Sequence, residues 1–223
     1  MSHYRVGVIA KYYEDVNGIL YPYDESLEVE PYLKTTRLEA TKSGKEKYFD
    51  LVEKAKDDKN AKNVLEDVFK RSPELKDLTL DSPDELFYQF YVRHLVCWPP
   101  ELIAENGDLY STYNKKSKFD YYSDGDGATL FEDGVSPKEA LKKFNELVTI
   151  EGDKIKIKDE YYDYFPYAMC DDRDWYAPGK VGWFGCDDST EDSFDRYILK
   201  LKEVLEYYAL KEGYGIYFMD LHI

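Results

Sequence analysis

A chain of 223 residues, 43% of them hydrophobic, can bury a full core as one large domain or a domain carrying an insertion. Its formal charge, 30 − 46 = −16, repels phosphate backbones and anionic membranes; it argues against direct nucleic-acid or membrane binding and favours a partner with a basic surface. Cys97, Cys170 and Cys186 show no C-x-x-C spacing, no signal-like leader opens the chain and no apolar run approaches a membrane span, so a reduced, cytoplasmic protein is expected.

Tyr4 to Ala10 (YRVGVIA) alternates and is β-branched, as a strand should be. Tyr12 to Tyr32 is acidic and turn-rich, with Asn17-Gly18 and two prolines, and reads as a long ordered loop. From about Leu38 to Lys70, apolar residues recur at helical spacing (Tyr48, Leu51, Val52, Ala55, then Val64, Leu65, Val68) with Lys and Glu on the other faces. Residues 35–98 are therefore expected to form a helical insertion lobe within a single domain of 1–223, and its 40–70 portion looks peripheral. Ser82-Pro83-Asp84-Glu85 is a helix start, and the helix should run through His94 until Pro99-Pro100 ends it.

Asp108 to Tyr122 is a polar loop whose short basic run, Lys115-Lys116-Ser117-Lys118, interleaves with Tyr113, Phe119, Tyr121 and Tyr122. That mixture suits a local phosphate or base contact, although the run is too short to overcome the net charge for nucleic-acid binding. Asp124 and Asp126 have D-x-D spacing without the other ligands of a calcium loop. Ser136-Pro137-Lys138-Glu139 starts another helix, residues 150 to 158 alternate as a small hairpin, and Phe165 to Met169 reads as a short strand.

The most locally constrained stretch is Trp175 to Gly185 (WYAPGKVGWFG). Pro178-Gly179 is a turn signal, and Gly182 and Gly185 bracket Trp183-Phe184, so a tight turn around a buried Trp183 is expected. After an acidic lead-in, Ser193 to Lys211 places Phe194, Tyr197, Ile198, Leu201, Val204, Leu205 and Tyr208 on one helical face, and Gly213 stops it. Tyr214 to Ile223 is a final apolar strand carrying Asp220 and His222. A strand at each end with helices between predicts an α+β fold: an antiparallel sheet with helices packed on one face and both terminal strands in it.

Period-two geometry puts Asp220 and His222 on one face of the last strand. If the terminal strands pair, His3 joins them. Two imidazoles and a carboxylate are a divalent-metal set, and a His oriented by Asp can act as a general base. No second shell is visible in the sequence, so the expectation is proximity without a metal or cofactor, with His3, Asp220 and His222 as catalytic candidates only. Cys170 or Cys186 lacks any surrounding nucleophile motif, and no Walker loop or dinucleotide fingerprint is present. Tyr121, Tyr122, Trp175, Trp183 and Phe184 are the expected ligand- or partner-binding side chains, because such rings join a large apolar face to a polar tip or edge.

Several of these segments together resemble a family of uncharacterised bacteriophage and prophage proteins. Its members open Met-Ser-His-aromatic, matched by Met1-Ser2-His3-Tyr4, and carry an acidic PYDE segment, matched by Pro22-Tyr23-Asp24-Glu25 and the residues to Tyr32. An STYNxxSKWDWYxxGGRW segment is similar to Ser111 through Tyr122, a GxMGWWG-like motif to Gly179 through Gly185, and a terminal DCHI to Asp220 through Ile223. Where the family has Gly-Gly-Arg-Trp, this chain has Asp124-Gly125-Asp126-Gly127-Ala128, so the arginine and tryptophan are missing. The resemblance implies phage origin and the host bacterial cytoplasm, but no activity. The function expected is a non-enzymatic accessory protein that binds and inhibits a host protein, such as a defence factor. The alternative is an enzyme or small-ligand binder with a pocket around Trp175, Trp183, Tyr121, Asp220 and His222.

Overall fold

The computed structural model describes residues 3–125, 133–151, 154–158, 165–181 and 187–223. Two strands from opposite ends of the chain form its central ladder. β1 (His3–Ala10) pairs antiparallel with the last strand, Gly215–His222, in continuous register from His3 opposite His222 to Ala10 opposite Gly215.

Between them, in chain order, lie α1 (Val16–Leu20), β2 (Tyr32–Thr35), α2 (Arg37–Lys54), α3 (Lys59–Arg71) and α4 (Asp84–Phe90). Then come β3 (Leu109–Ser111), β4 (Tyr121–Asp124), α5 (Pro137–Leu147), β5 (Val148–Glu151) and β6 (Lys154–Ile157). β7 (Ala168–Cys170), β8 (Trp175–Tyr176), α6 (Glu191–Ala209) and β9, the last strand, complete the fold. The main sheet has the order β4-β9-β1-β7-β8, so the fold is α+β with both terminal strands in the sheet and adjacent. One strand departs from the antiparallel expectation: β7, between β1 and β8, runs parallel to β1, as the long connection between them allows.

The chain forms two compact units, one of Met1–Glu28 with Tyr113–Ile223, the other of Val29–Thr112. In the first, α5 and α6 bury their apolar stripes on one sheet face, where Tyr197, Ile198, Leu201, Val204 and Leu205 meet Ile9, Ile216, Phe218 and Met169. Thr190 caps α6 and Gly213 follows it at φ 79°. On the other face, Val6, Val8, Ala10, Met219 and Leu221 meet Val16, Leu20, Tyr23 and Phe119. The stretch expected to be a loop therefore contains α1 and two 3-10 turns, too short for their periodicity to show in the sequence. The strand expected at Phe165 begins later, after Pro166, which has no N–H to donate. Beyond β7, the buried Asp171 carboxylate accepts from the Arg173 and Asp174 backbone N–H groups (2.8 and 2.9 Å) and from Arg173 Nε (3.0 Å). The Arg173 guanidinium lies 4.0 Å from the Tyr207 ring centroid, which ties this turn to α6.

The second unit contains the expected helical insertion and extends beyond it at both ends, because β2 and β3 pair the flanks of the helices with each other. The 40–70 segment is not peripheral to it: Ala40, Tyr48 and Val68 are buried. Thr36 and Glu39 form a reciprocal capping box at the start of α2, and Asp58 caps α3. Tyr48 packs on Phe87 and Phe90, and its hydroxyl donates to Leu75 O at 2.9 Å. α2 meets α4 at Gly44, where an added Cβ would lie 2.1 Å from the Phe87 carbonyl oxygen. The helix expected through His94 continues past α4 as a π-helical turn, Tyr91–Leu95. The turn expected at Gly182 to Gly185, with Trp183 and Phe184, lies outside the described residues, as does Cys186.

Two outcomes follow from this packing. Gly44→Ala should destabilise the second unit by about 3 kcal/mol, the upper end of an overpacking cost, because backbone faces the new methyl group; urea unfolding would measure it. Val29 N donates to Thr112 O at 3.1 Å, so the ends of that unit are already close. Replacing Val29–Thr112 with a short Gly-Ser link should leave a cooperatively unfolding protein, whereas deleting only 40–70 should yield exposed apolar surface detectable by dye binding.

Candidate functional site

The alternation of β1 and β9 sends neighbouring residues to opposite faces and builds two separate clusters. On the α5/α6 face, beyond the reach of the apolar core, the register sets His222 between His3 on β1 and Tyr121 on β4. The His3 and His222 ring centroids are 4.0 Å apart, edge to face, and Tyr121 stacks on His222 at 4.1 Å and 15°. Asp220 Oδ2 lies 3.0 Å from His3 Nδ1 and 3.7 Å from His222 Nε2. The expected convergence of the three residues is thus present.

On the opposite face, Tyr4 turns into a cavity of about 230 Å³. Its walls are Tyr4, Phe119, Tyr167 and Trp175, and its rim carries Lys115, Lys118, Lys180 and one acid, Glu25. Tyr4 and Tyr167 meet edge to face at 5.5 Å, and Trp175 leans on Tyr23 at 5.2 Å. The Tyr4 hydroxyl donates to Lys118 O, which fixes the Lys118 backbone at the rim. Gly179 is required where it stands, because a Cβ there would lie 2.6 Å from Asp188 Oδ1 and 2.7 Å from Ser189 N. The same Asp188 oxygen accepts from Lys180 N at 2.6 Å and so holds that lysine's backbone.

The electrostatics of this cavity are unusual for so acidic a chain. Burial, and then the charge of Lys180, push the Lys118 ammonium below the ordinary lysine range, with Asp174 opposing in part. Neither Lys118 nor Lys180 forms an ion pair among the described residues. Burial, with help from Asp187 and Asp188, raises the Tyr167 phenol, whose buried oxygen has no hydrogen-bond partner among the described residues.

The expected binding residues separate accordingly. Trp175 lines the cavity, Tyr121 belongs to the histidine cluster, and Tyr122 faces the interior, donating to Asn17 Oδ1 at 3.0 Å. Among the described residues, Trp175 lies on one face of the sheet and Tyr121, Asp220 and His222 on the other, as period two requires. Cys170 is fully buried and its thiol is pushed up by burial and then by Asp171 and Asp174, which leaves it no nucleophilic character. Tyr4 and Tyr167 are site residues that sequence reasoning missed. Val6, Val8, Ala10 and Leu221 lie with Tyr4 on its face, so an outward role for Tyr4 had no visible mark.

No known protein family matches the chain, and neither a curated protein nor a solved structure is similar to it. Among the described residues no helix is long and apolar enough to cross a membrane.

Lys118 offers a direct check. Its depressed pKa means that the unfolded chain binds its proton more tightly than the folded one, so the charge destabilises the fold below that pKa. Lys118→Met should raise the melting temperature at neutral pH by a few degrees. The advantage should shrink as pH rises through the depressed pKa towards the ordinary lysine value, where both states lose the proton. Calorimetric scans of both proteins across that range would measure it.

Proposed function

We propose that the protein binds a small anion bearing a flat ring, of the chemistry of a nucleoside monophosphate, in the Trp175–Lys118 cavity. One observation carries the reading: Lys115, Lys118 and Lys180 are gathered against four aromatic walls in a chain of 46 acidic and 30 basic residues. Rings offer a stacking surface for a base or phenyl group, and lysines act as point charges for phosphate or carboxylate. The cavity is slightly below the usual size of a small-molecule site, so the ligand is small or projects into solvent. All five segments behind the phage-family resemblance contribute to the lining, through Tyr4, Glu25, Tyr113 to Phe119, Gly179 to Val181, and Ile223. No reaction is assigned to this cavity.

Isothermal titration with adenosine monophosphate, phenyl phosphate, inorganic phosphate and uncharged adenosine tests the reading. The two ring-bearing anions should bind more tightly than phosphate or adenosine alone. Lys118→Gln should weaken them about tenfold or more, as expected when a charge-assisted hydrogen bond is lost, and Trp175→Ala should weaken them while leaving phosphate unchanged. Equal, weak binding of all four compounds would sink the proposal.

A second reading is a host-protein inhibitor with an acidic binding surface, supported by the net charge of −16 and by the phage resemblance. It places the affinity in surface carboxylates. Charge reversal there would release a captured basic protein, and adenosine monophosphate would not compete.

A further inference from the structure

We propose that His3, Asp220 and His222 form a binding site for a divalent first-row transition ion. One candidate ligand atom from each residue can be chosen so that all three lie within 4.8 Å of one another. Bonds of about 2.1 Å at tetrahedral or octahedral angles separate neighbouring ligand atoms by about 3.0–3.4 Å. The observed 3.0 Å from His3 Nδ1 to Asp220 Oδ2 and 3.7 Å from His222 Nε2 to the same oxygen lie close to that span. The remaining adjustment, a few tenths of an ångström between His222 and Asp220, falls on Asp220, whose side chain is 36% exposed.

The state of His222 favours an ion over a simple hydrogen-bonded cluster. Its side chain is only 9% exposed, and 3.7 Å is too long for a hydrogen bond from Nε2 to Asp220. Nδ1 is buried without a partner, so neither ring nitrogen makes a hydrogen bond among the described residues. A buried imidazole aimed at a carboxylate it does not quite reach is the arrangement that an ion between them completes. Tyr121 stacked on one side and His3 edge-on at the other hold the ring plane, so Tyr121 is a positioning residue.

Two imidazoles and one carboxylate select zinc, iron, manganese, cobalt or nickel over calcium, and three protein ligands leave coordination positions open. Two of the three ligands, His3 and Asp220, also line a recess of about 230 Å³ with Tyr4, Arg5 and Gly125, so the cluster is open to solvent on that side. The ladder that brings the chain ends together supplies all three ligands, so the site exists only in the folded protein.

The test uses the full chain without a histidine tag. Thermal shift and isothermal titration with zinc, manganese and nickel chlorides, and the visible spectrum with cobalt, are measured for the native protein, His3→Asn and Asp220→Asn. His3 and Asp220 are at least partly exposed, so these variants should fold, and circular dichroism confirms it. The expected result is one bound ion per chain, a metal-dependent rise in melting temperature, and affinity at least about tenfold weaker in each variant. Cobalt should show d–d bands that disappear in His3→Asn. No thermal shift with any of the metals would overturn the proposal. So would a shift in both variants as large as in the native protein, which would mean that ions are held by the acidic surface elsewhere.

Discussion

The antiparallel pairing of β1 with β9 is the constraint on which the rest of the first unit depends. It joins residues more than two hundred positions apart, so its loop-closure cost is high and its register must be strongly specified. The specification is the alternation itself. Val6, Val8 and Ala10 with Met219 and Leu221 fill one face, while Ile9 with Ile216 and Phe218 fills the other. A slip of one residue in β1 would exchange its faces, sending Val6, Val8 and Ala10 against α6 and Ile9 against α1, where neither set fits its neighbours. The ladder therefore sets the core and the two clusters of polar side chains in one step.

Charge acts differently on the two faces. Most acids are spread over a solvated surface, where pairs such as Lys54–Asp50 and Arg196–Asp192 contribute little to stability. The buried Asp171 is the exception, and backbone and guanidinium donors neutralise it fully. Lys118 has only the partial compensation of Asp174 and no ion pair among the described residues. A cation kept half-buried beside a second cation is a cost that packing does not require, and such costs concentrate at sites that bind something.

Much of the fold was legible in the sequence, for identifiable reasons. α6 was readable because six of its seven predicted apolar positions are buried along a single stripe. β1 and β9 were readable as short β-branched or apolar runs, β9 set off from α6 by Gly213. α1 was not, since Val16, Ile19 and Leu20 span barely one turn and Asn17-Gly18 argues for a loop. The parallel placement of β7 was not, because three residues carry no direction. The histidine cluster could be read conditionally: period two placed Asp220 with His222, and only the pairing of the termini had to be supposed. The cavity could not. Tyr4, Lys118, Tyr167 and Trp175 share no spacing, and they meet only because β1, the segment before β4 and the β7–β8 hairpin converge at one end of the sheet.

The two clusters lie back to back, and this ties their behaviour together. His3 precedes Tyr4, and His222 precedes Ile223; one residue of each pair serves the histidine cluster and the other the cavity. An ion bridging His3 to His222 would clamp the end of the ladder, where β1 and β9 would otherwise fray. The same clamp would order Tyr4 and Ile223 on the reverse face, lowering the entropy that a ring-bearing anion loses on binding. Such coupling is reciprocal: a metal that tightens the anion must itself be tightened by the anion by the same factor. With both sites occupied, a strand one residue thick would thus be enough to make two sites of different chemistry respond as one, without any change in the packed core between α6 and the sheet.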